Sequence, residues 1–334
     1  MWPFIKPIKL IRYLFVLRVN GSLVRLPRCP STELSLVLGT VIANRLPTRE
    51  ARPWRKALAP WDEHGGISLV GKKKPRTIPE ASWPIEAVLF VYPGKNIYGR
   101  GELILWELKL MGESADHGLF LEVILPALEE AATVSDQQLQ RKNGLWGRFD
   151  IQAIYAARGP QWEPVVSDGR LDLNYRATPV QWADGLTFEP KSERVLDRLT
   201  WITPFDFTSD ASISRRRRRK RIPSHQAPTL QSMLDSLVSR MSLLLPGKYN
   251  TPDDVWAILS AEEQAELRAV VEQASHIPIH HKSLRPAPKN WPGRWIGAQT
   301  FASIPHPIIP YLELASIFHI GRQTHFGCGT FAIS

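Results

Sequence analysis

The sequence predicts an α+β protein of two tandem ferredoxin-like (RRM-like) domains with the element order βαββαβ, and three observations support this fold class. The chain has 334 residues, more than one ordinary domain contains. Apolar residues follow the order strand, helix, strand, strand, helix, strand through the first half, and a similar order then starts again. A glycine-rich loop precedes the last short apolar run. We therefore expect an N-terminal domain at 1–160, a linker at 161–192 and a C-terminal domain at 193–334.

The N-terminal domain should begin with a strand and a helix. Residues 9–19 have a β-rich composition and end at an Asn-Gly turn. A helix is expected behind Ser31 and Thr32, which can cap its first turn, and it should end near Leu46, before a proline. Its apolar residues recur at helical spacing: Leu34, Val37, Leu38, Val41 and Ile42. Residues 47–84 are rich in proline and basic groups, so we expect them to be irregular.

Two more strands, a second helix and a fourth strand should complete this domain. The strands are expected at 85–92 and 102–111, and alternate residues of the second share one face. The helix should start after Asp116 and kink at Pro126. Alternating residues from Phe149 onward predict the fourth strand. RNA-recognition modules use the same βαββαβ unit.

The second half of the chain repeats this order after residues 161–192, whose Pro, Asp and Gly content is typical of a connection between domains. A strongly periodic helix is expected at 230–245, and Ser260 with Glu263 fits a capping box that starts another helix. The remaining expected elements are strands near 195–207, 277–285, 294–303 and 330–333, and helices after Thr251 and near 307–319.

Composition indicates a folded protein with a polyanionic partner. Hydrophobic residues make up 43% and charged residues 22%, as in globular domains, while the formal net charge is +10. A chain this basic attracts nucleic acid first and an anionic membrane surface second. A basic enzyme without a polyanionic ligand is the alternative that charge alone leaves open.

The cysteines and the apolar runs limit the class of protein further. Cys29 and Cys328 are the two cysteines, and the sequence has no CxxC and no Cys/His cluster at zinc spacing. This argues against a disulfide scaffold or a structural metal site and favours a reducing cytoplasm. The apolar run 13–17 is shorter than a signal-peptide core and far too short to span a membrane, so we expect a cytoplasmic protein without membrane association.

An uninterrupted basic run is the first segment that could bind a partner. It consists of Arg215, Arg216, Arg217, Arg218, Arg219, Lys220 and Arg221. Seven adjacent charges cannot enter a core without partners, so the run must be a solvated loop or one that a ligand orders. Guanidinium groups suit phosphate oxygens, and such contacts release counterions. We expect nucleic-acid contact here, with a plain surface loop or a targeting signal as the alternatives.

The glycine loop near the carboxyl end is the second such segment. Three glycines, Gly321, Gly327 and Gly329, are expected to leave backbone N–H groups accessible to phosphate. Polar side chains around them supply further donors: His319, Arg322, Gln323, Thr324 and His325. Tight turns before strands also need glycine, so the loop alone is weak support for binding. His319 ends a helix and could instead interact with the helix dipole.

The terminal stretch, Tyr311 through Ile333, resembles the ending of the CRISPR-associated pre-crRNA-processing endoribonucleases, the sixth Cas family of the RAMP superfamily. The shared pattern is an apolar helix, a His/apolar-Gly-basic-x-Thr-x-Phe-Gly-x-Gly loop and a short apolar strand. Residues 99–112, a strand between glycines, and Thr203-Pro204-Phe205, a Thr-Pro strand end, resemble that family more loosely.

This resemblance implies tandem ferredoxin-like domains and metal-independent cleavage of CRISPR repeat RNA (pre-crRNA) to give mature crRNA. In that reaction the 2′-hydroxyl of the RNA attacks the adjacent phosphate, while the protein orients it, takes its proton and stabilises the charge. The implied partners are the repeat RNA or crRNA and other Cas effector subunits. No cofactor and no metal are implied.

The sequence departs from the family at the catalytic histidine, which the family often places in or just after the first helix. Residues 31–56 contain no histidine. His64 could act as the base from the following loop, where it could equally be a plain exposed residue, or Arg45 and Arg49 could stabilise the transition state. The alternative is a non-cleaving crRNA-binding subunit of a CRISPR ribonucleoprotein effector complex. A third hypothesis is an unrelated basic enzyme that acts on a small phosphorylated substrate.

Overall fold

A computed structural model describes the chain as two compact units, unit 1 (Met1–Leu186) and unit 2 (Thr187–Ser334). The residues that it describes are 5–62, 82–92, 94–133, 143–186, 196–207, 227–247, 250–288 and 291–334. Each unit combines an antiparallel sheet with helices, which confirms the α+β class. None of the helices in these ranges is long and apolar enough to cross a membrane.

Unit 1 contains eight described strands and four described α-helices. The strands are β1 (Leu10–Val19), β2 (Leu23–Arg25), β3 (Ala87–Val91), β4 (Ile97–Gly99), β5 (Leu103–Met111), β6 (Phe149–Arg158), β7 (Gln161–Ser167) and β8 (Arg170–Leu171). The helices are α1 (Pro30–Arg45), α2 (Thr48–Asp62), α3 (His117–Leu119) and α4 (Leu125–Thr133).

The main sheet of unit 1 has the strand order β3-β5-β1-β6-β7-β8, and its neighbours are antiparallel. The strands on either side of a helical crossover are not neighbours: β5 separates β1 from β3, and β1 separates β5 from β6. This is the split βαβ arrangement of a ferredoxin-like unit. In the middle of the sheet Phe15 pairs with Trp106 on one side and Ile154 on the other, and all three side chains are buried.

Helix α2 corrects the expectation that residues 47–84 are irregular, which is wrong for 48–62. Ala51, Trp54 and Leu58 are buried and recur at helical spacing. The Trp54 ring lies 5.4 Å from the ring of Trp83. This apolar stripe stabilises a helix that contains Pro53, because packing outweighs the proline's unfavourable propensity.

The second helical segment of unit 1 changes its geometry just before Pro126. Residues Phe120–Ile124 form a π-helical turn between α3 and α4. Proline has no N–H to donate to the carbonyl four residues earlier, so the regular ladder is interrupted at this point. The irregularity therefore lies one turn N-terminal to the kink that the sequence predicts.

Residues that the sequence assigns to the linker extend the sheet of unit 1. Strand β7 pairs with β6, and Glu163 lies opposite Ala156. Strand β8 then pairs with β7. The short 3₁₀ helix Gln181–Ala183 lies close to β6, since the side-chain amide Nε2 of Gln181 donates to the Ala157 carbonyl oxygen at 3.0 Å.

Unit 2 repeats the split arrangement with four described strands in the order β10-β11-β9-β12. Helix α7 begins with the capping box that the sequence predicts: Ser260 Oγ accepts from Glu263 N, and Glu263 accepts from Ser260 N at 2.7 Å. The elements are β9 (Arg198–Trp201), α5 (Leu230–Leu244), α6 (Pro252–Ala257), α7 (Ala261–Ser275), β10 (Ile279–Pro286), β11 (Trp295–Phe301), α8 (Ile309–Phe318) and β12 (Phe331–Ile333).

Candidate functional site

Three segments of unit 2 meet beside its sheet, and we call them together the loop platform: 203–207, 291–295 and 319–330. Backbone hydrogen bonds join all three. Arg322 N donates to the carbonyl oxygen of Asp206 at 2.9 Å, and Gly329 N donates to that of Pro204 at 3.0 Å. From the hairpin between β10 and β11, Arg294 N donates to the Phe205 carbonyl at 2.9 Å. The glycine loop therefore has a fixed position against the Thr-Pro segment.

The loop glycines are required by conformation and by close packing against the backbone. Gly321 has a φ of +91°, and a β-carbon there would lie 2.6 Å from the Asp206 carbonyl oxygen. Gly329 has a φ of +85°, and its β-carbon would lie 1.9 Å from the Ile320 carbonyl oxygen. A side chain at either position would meet backbone atoms that cannot move independently of the loop.

The glycine N–H groups are used inside unit 2, so the expectation that they are left accessible for phosphate is wrong. Gly321 N donates to Ser236 Oγ at 3.0 Å. Gly327 N donates to the Thr324 carbonyl at 2.8 Å, and Gly329 N donates to Pro204 as described above. The close approach that glycine permits here is made by the protein's own backbone.

His319 is fully buried at the end of α8, with a φ of +59°. Its Nδ1 lies 3.1 Å from the carbonyl oxygens of Gly327 and Cys328, so Nδ1 must carry the proton and donate. His325 is also buried. Both histidines pack within the loop, and their contact with RNA stays a prediction.

The partly exposed side chains of the glycine loop belong to Arg322, Gln323 and Thr324. Gln323 adopts a left-handed backbone conformation with a φ of +58°. Its amide oxygen accepts a hydrogen bond from Gly293 N, which ties the loop to the β10–β11 hairpin. Arg322 thus presents a cationic side chain from a loop that is held on both sides.

Sequence reasoning missed two residues of the platform, Asp206 and Arg294. Arg294 Nε lies 3.1 Å from a carboxylate oxygen of Asp206. A Trp-Pro-Gly turn directly precedes Arg294 and could have indicated a basic residue held at a hairpin tip.

The predicted catalytic arginines lie where α1 ends and α2 begins in unit 1. Arg45 Nη1 donates to Glu130 Oε2 of α4 at 2.8 Å, and both side chains are a little over 40% exposed, at 43% and 44%. Arg49 is exposed at the start of α2. His64 and the basic run 215–221 lie outside the described residues.

A buried histidine in unit 1 was also missed by sequence reasoning. The Nδ1 atom of His117 lies 2.7 Å from the hydroxyl oxygen of Tyr13, and both residues are buried. Desolvation lowers the pKa of His117, and burial raises the pKa of Tyr13. The pair is therefore a hydrogen bond between a neutral imidazole and a neutral hydroxyl. Stacking of both rings on Phe120 indicates a core position.

No candidate metal site appears in the parts of the chain that the structure describes, where no three His, Cys, Asp or Glu side chains converge. His280 and His281 are adjacent and exposed on β10. The pairing of β10 with β11 shifts between Ile279 and His281, so the two histidines lie at an irregularity of the strand.

The fold and the platform define an α+β protein with two split βαβ units and a glycine loop built onto a Thr-Pro segment. Residues 199–331, which include most of unit 2 and the whole platform, match the family model of the CRISPR-associated endoribonuclease Cas6. For this part of the chain, the match confirms the resemblance that the carboxyl-terminal motif indicates.

Solved structures similar to the chain carry the same family name. A Cas6 product complex is 13% identical over 97% of this chain and 100% of that one, with a TM-score of 0.46. A Thermus thermophilus Cas6 is 14% identical over 98% and 99%, with a TM-score of 0.42. A partial Cas6-RT-Cas1--Cas2 complex is 14% identical over 98% of this chain but 46% of that longer one, with a TM-score of 0.47. Among curated proteins, none matches the chain.

Proposed function

We propose that the chain is an endoribonuclease that binds CRISPR repeat RNA and cleaves it to give mature crRNA. The observation that carries this proposal is the match of residues 199–331 to the Cas6 endoribonuclease family, which coincides with the loop platform. The net charge of +10 supports a polyanionic ligand. Other Cas effector subunits are proposed partners, as the family resemblance implies.

The proposed reaction needs only the RNA as nucleophile. The 2′-hydroxyl oxygen attacks the adjacent phosphorus, the bond from phosphorus to the 5′-oxygen breaks, and a 2′,3′-cyclic phosphate and a 5′-hydroxyl result. A base takes the proton of the 2′-hydroxyl, and the leaving 5′-oxygen receives a proton. Aligning the attack and stabilising the charge of the phosphorane supply the remaining catalysis, so we propose that cleavage is metal-independent.

The proposed catalytic residues are Arg45, Arg49 and His64. Arg45 and Arg49 are both exposed at the α1–α2 corner, where two guanidinium groups could contact one phosphate. The contact of Arg45 with Glu130 holds its guanidinium group in one orientation. His64 follows α2 in the sequence by two residues and is proposed as the general base, since an unperturbed histidine titrates near neutral pH.

The proposed RNA-binding residues fall into two groups with different roles. The basic run Arg215 to Arg221 and the side chains of Arg322 and Gln323 are proposed to contact the RNA directly. His319, His325 and the three loop glycines, 321, 327 and 329, support binding by fixing the shape of the loop, as their burial or internal hydrogen bonds suggest.

A second candidate function is a subunit that holds crRNA without cleaving it. The observation that favours it is the composition of α1 and α2, which contain no histidine, together with the engagement of Arg45 by Glu130. In this case the guanidinium groups of Arg45 and Arg49 would bind the RNA phosphate without stabilising a transition state for cleavage.

One experiment separates these functions. Purified protein is incubated with a repeat RNA in EDTA, and products and complexes are resolved on denaturing and native gels. Cleavage supports the endoribonuclease, and a shifted band without cleavage supports the binding subunit. If neither occurs, both proposals are overturned, and an unrelated basic enzyme for a small phosphorylated substrate becomes the better explanation.

A further inference from the structure

We propose that Arg294 binds a phosphate of the RNA backbone and that Asp206 is the residue that positions it. This inference rests on the proposed function, because it takes RNA as the ligand of unit 2. The chemical class of the ligand is a phosphodiester, which is recognised by charge and by the geometry of the guanidinium group. The base sequence has no part in this contact.

The geometry of the ion pair leaves the outer part of the Arg294 guanidinium group available. Arg294 contacts Asp206 through Nε at 3.1 Å, and among the described residues no other ion pair of Arg294 is found. Its side chain is 56% exposed, whereas the side chain of Asp206 is 11% exposed. A carboxylate at Nε restricts rotation of the group, and Nη1 and Nη2 can then donate as a pair to two phosphate oxygens.

The backbone around Arg294 is fixed by contacts with the other two segments of the platform. Trp295 N donates to the Phe205 carbonyl at 3.1 Å, and Phe205 N donates to the Trp295 carbonyl at 2.9 Å. Gly293 has a φ of +81° and approaches Pro204 so closely that a β-carbon would lie 2.7 Å from Pro204 Cβ. Arg294 therefore leaves a rigid turn, which lowers the entropy lost on binding.

Asp206 connects Arg294 to the glycine loop. Its carboxylate faces Arg294, while its backbone carbonyl accepts from Arg322 N at 2.9 Å. Arg294 and Arg322 thus emerge from neighbouring positions of the platform. Guanidinium groups at neighbouring positions suit successive phosphates of one strand.

The ion pair between Arg294 and Asp206 is not explained by a contribution to the stability of unit 2. An ion pair in which the cation is more than half exposed contributes little to folding, because water screens the attraction. Arg294 can therefore be replaced with little expected effect on unit 2, and a binding defect can be separated from a folding defect.

The test compares four variants by fluorescence anisotropy with a 2′-O-methyl repeat RNA, which binds but cannot be cleaved, at several KCl concentrations. R294A should bind about tenfold more weakly. The slope of log K against log[KCl], here called the salt slope, should be reduced by about 0.7–0.9, as expected for one lost phosphate contact. R294K keeps the charge but lacks the paired donors, so its affinity should lie between those of R294A and the wild type. The control is R268A, which removes an exposed arginine from α7 and should bind like the wild type.

D206N gives the decisive result. If Asp206 acted only through its negative charge, its removal would strengthen RNA binding. If it positions Arg294, D206N should weaken binding several-fold although the protein becomes more positive. Thermal melts of all variants should match the wild type, and a D206N protein with a lowered melting temperature is replaced by R294K as the deciding variant.

The outcomes distinguish this inference from the proposed function. A wild-type protein that does not bind repeat RNA overturns the proposed function. A wild-type protein that binds, with unchanged affinity and salt slope in R294A, overturns the role of Arg294. Tighter binding in a stable D206N overturns the positioning role of Asp206. If R294A binds like the wild type, an acidic surface of a protein subunit becomes the better partner for Arg294.

Discussion

Gly329 lies against Ile320 so closely that a β-carbon at position 329 would be 1.9 Å from the Ile320 carbonyl oxygen. The contact is reinforced by a hydrogen bond from Ile320 N to the Gly329 carbonyl at 3.1 Å. The glycine of the family motif is therefore a packing residue in this chain. Its substitution should damage the fold of unit 2 before it affects any ligand.

We accordingly expect Gly329→Ala to destabilise unit 2 by more than the roughly 1–2 kcal/mol that a left-handed φ alone costs an L-residue. Gly247→Ala is the matched control, since Gly247 also has a positive φ, +108°, but the nearest atom to its β-carbon would be 3.6 Å away. Urea denaturation of both variants measures the difference. Equal stabilities would show that the loop can move away from Ile320, and the motif would then have to be explained by its ligand.

The periodic elements of both units could be predicted because burial imposes a regular pattern on the residues that face the core. The predicted helix at 230–245, for example, corresponds to α5, where Leu230, Leu234 and Leu237 are fully buried. Helix α2 could not be predicted in the same way. Its prolines suggest an irregular segment, and the partner that stabilises it, Trp83, lies far along the chain from Trp54.

The contacts of the candidate site could not be predicted from the sequence either, for a different reason. The sequence identifies the glycine loop, but the N–H groups of Gly321 and Gly329 bond to distant segments. The hydrogen bond from Gly321 to Ser236 spans 85 residues, and the bond from Gly329 to Pro204 spans even more. Accessibility of a backbone group depends on such contacts, which no local pattern encodes. The pair Asp206–Arg294 was missed for this reason as well.

The basic run is expected to contribute affinity without specificity. Replacing Arg215 to Arg219 by serine should weaken binding of all RNA sequences alike. It should also reduce the slope of log K against log[salt] by about 0.7 for each lost contact to single-stranded phosphate. Titrations with repeat RNA and with an unrelated RNA of equal length measure both effects. Unchanged affinity and slope would show that the run takes no part in binding.

The buried pair Tyr13–His117 should make the stability of unit 1 depend on pH. Burial lowers the pKa of His117 from its ordinary 6.5, so the unfolded chain binds a proton more readily than the folded one. The stability that a neutral His117 provides is present above pH 6.5 and should be lost as the pH falls through its lower folded pKa.

We expect the difference in unfolding free energy between the wild type and His117→Phe to shrink between pH 7.5 and pH 5, by up to about 1.4 kcal/mol for each pH unit in the titrating range. Urea denaturation followed by the signal of unit 1 measures this difference. His280→Phe replaces an exposed histidine and should show no such change. A constant difference for His117→Phe would mean that the imidazole can be protonated in the folded state.

The catalytic residues can be distinguished by the pH dependence of cleavage. His64→Ala should slow cleavage by about 10²-fold if His64 is the general base, and the wild-type rate should rise through roughly pH 6–7 and then level. If electrostatic stabilisation dominates instead, Arg45→Ala and Arg49→Ala should each slow the reaction comparably, without that inflection in the wild type. Arg170→Ala, an exposed arginine of β8, should leave the rate unchanged. Single-turnover assays with saturating protein separate these effects from binding.

The identity of the nucleophile determines the behaviour of a modified substrate. A single 2′-deoxy nucleotide on the 5′ side of the cut removes the one hydroxyl that can attack the adjacent phosphorus. We expect it to reduce cleavage below detection while binding changes little, because most of the phosphate contacts remain. The unmodified RNA should be cleaved equally well with and without EDTA. Its products should carry a 2′,3′-cyclic phosphate and a 5′-hydroxyl, which end-labelling identifies.

The control is an RNA with the 2′-deoxy nucleotide one position further along, which should be cleaved normally. Cleavage of the first modified RNA would require water or hydroxide as the nucleophile, and a strict need for Mg²⁺ would contradict metal-independent cleavage. Either result would show that the mechanism proposed for this chain is wrong, whichever of its arginines or histidines take part.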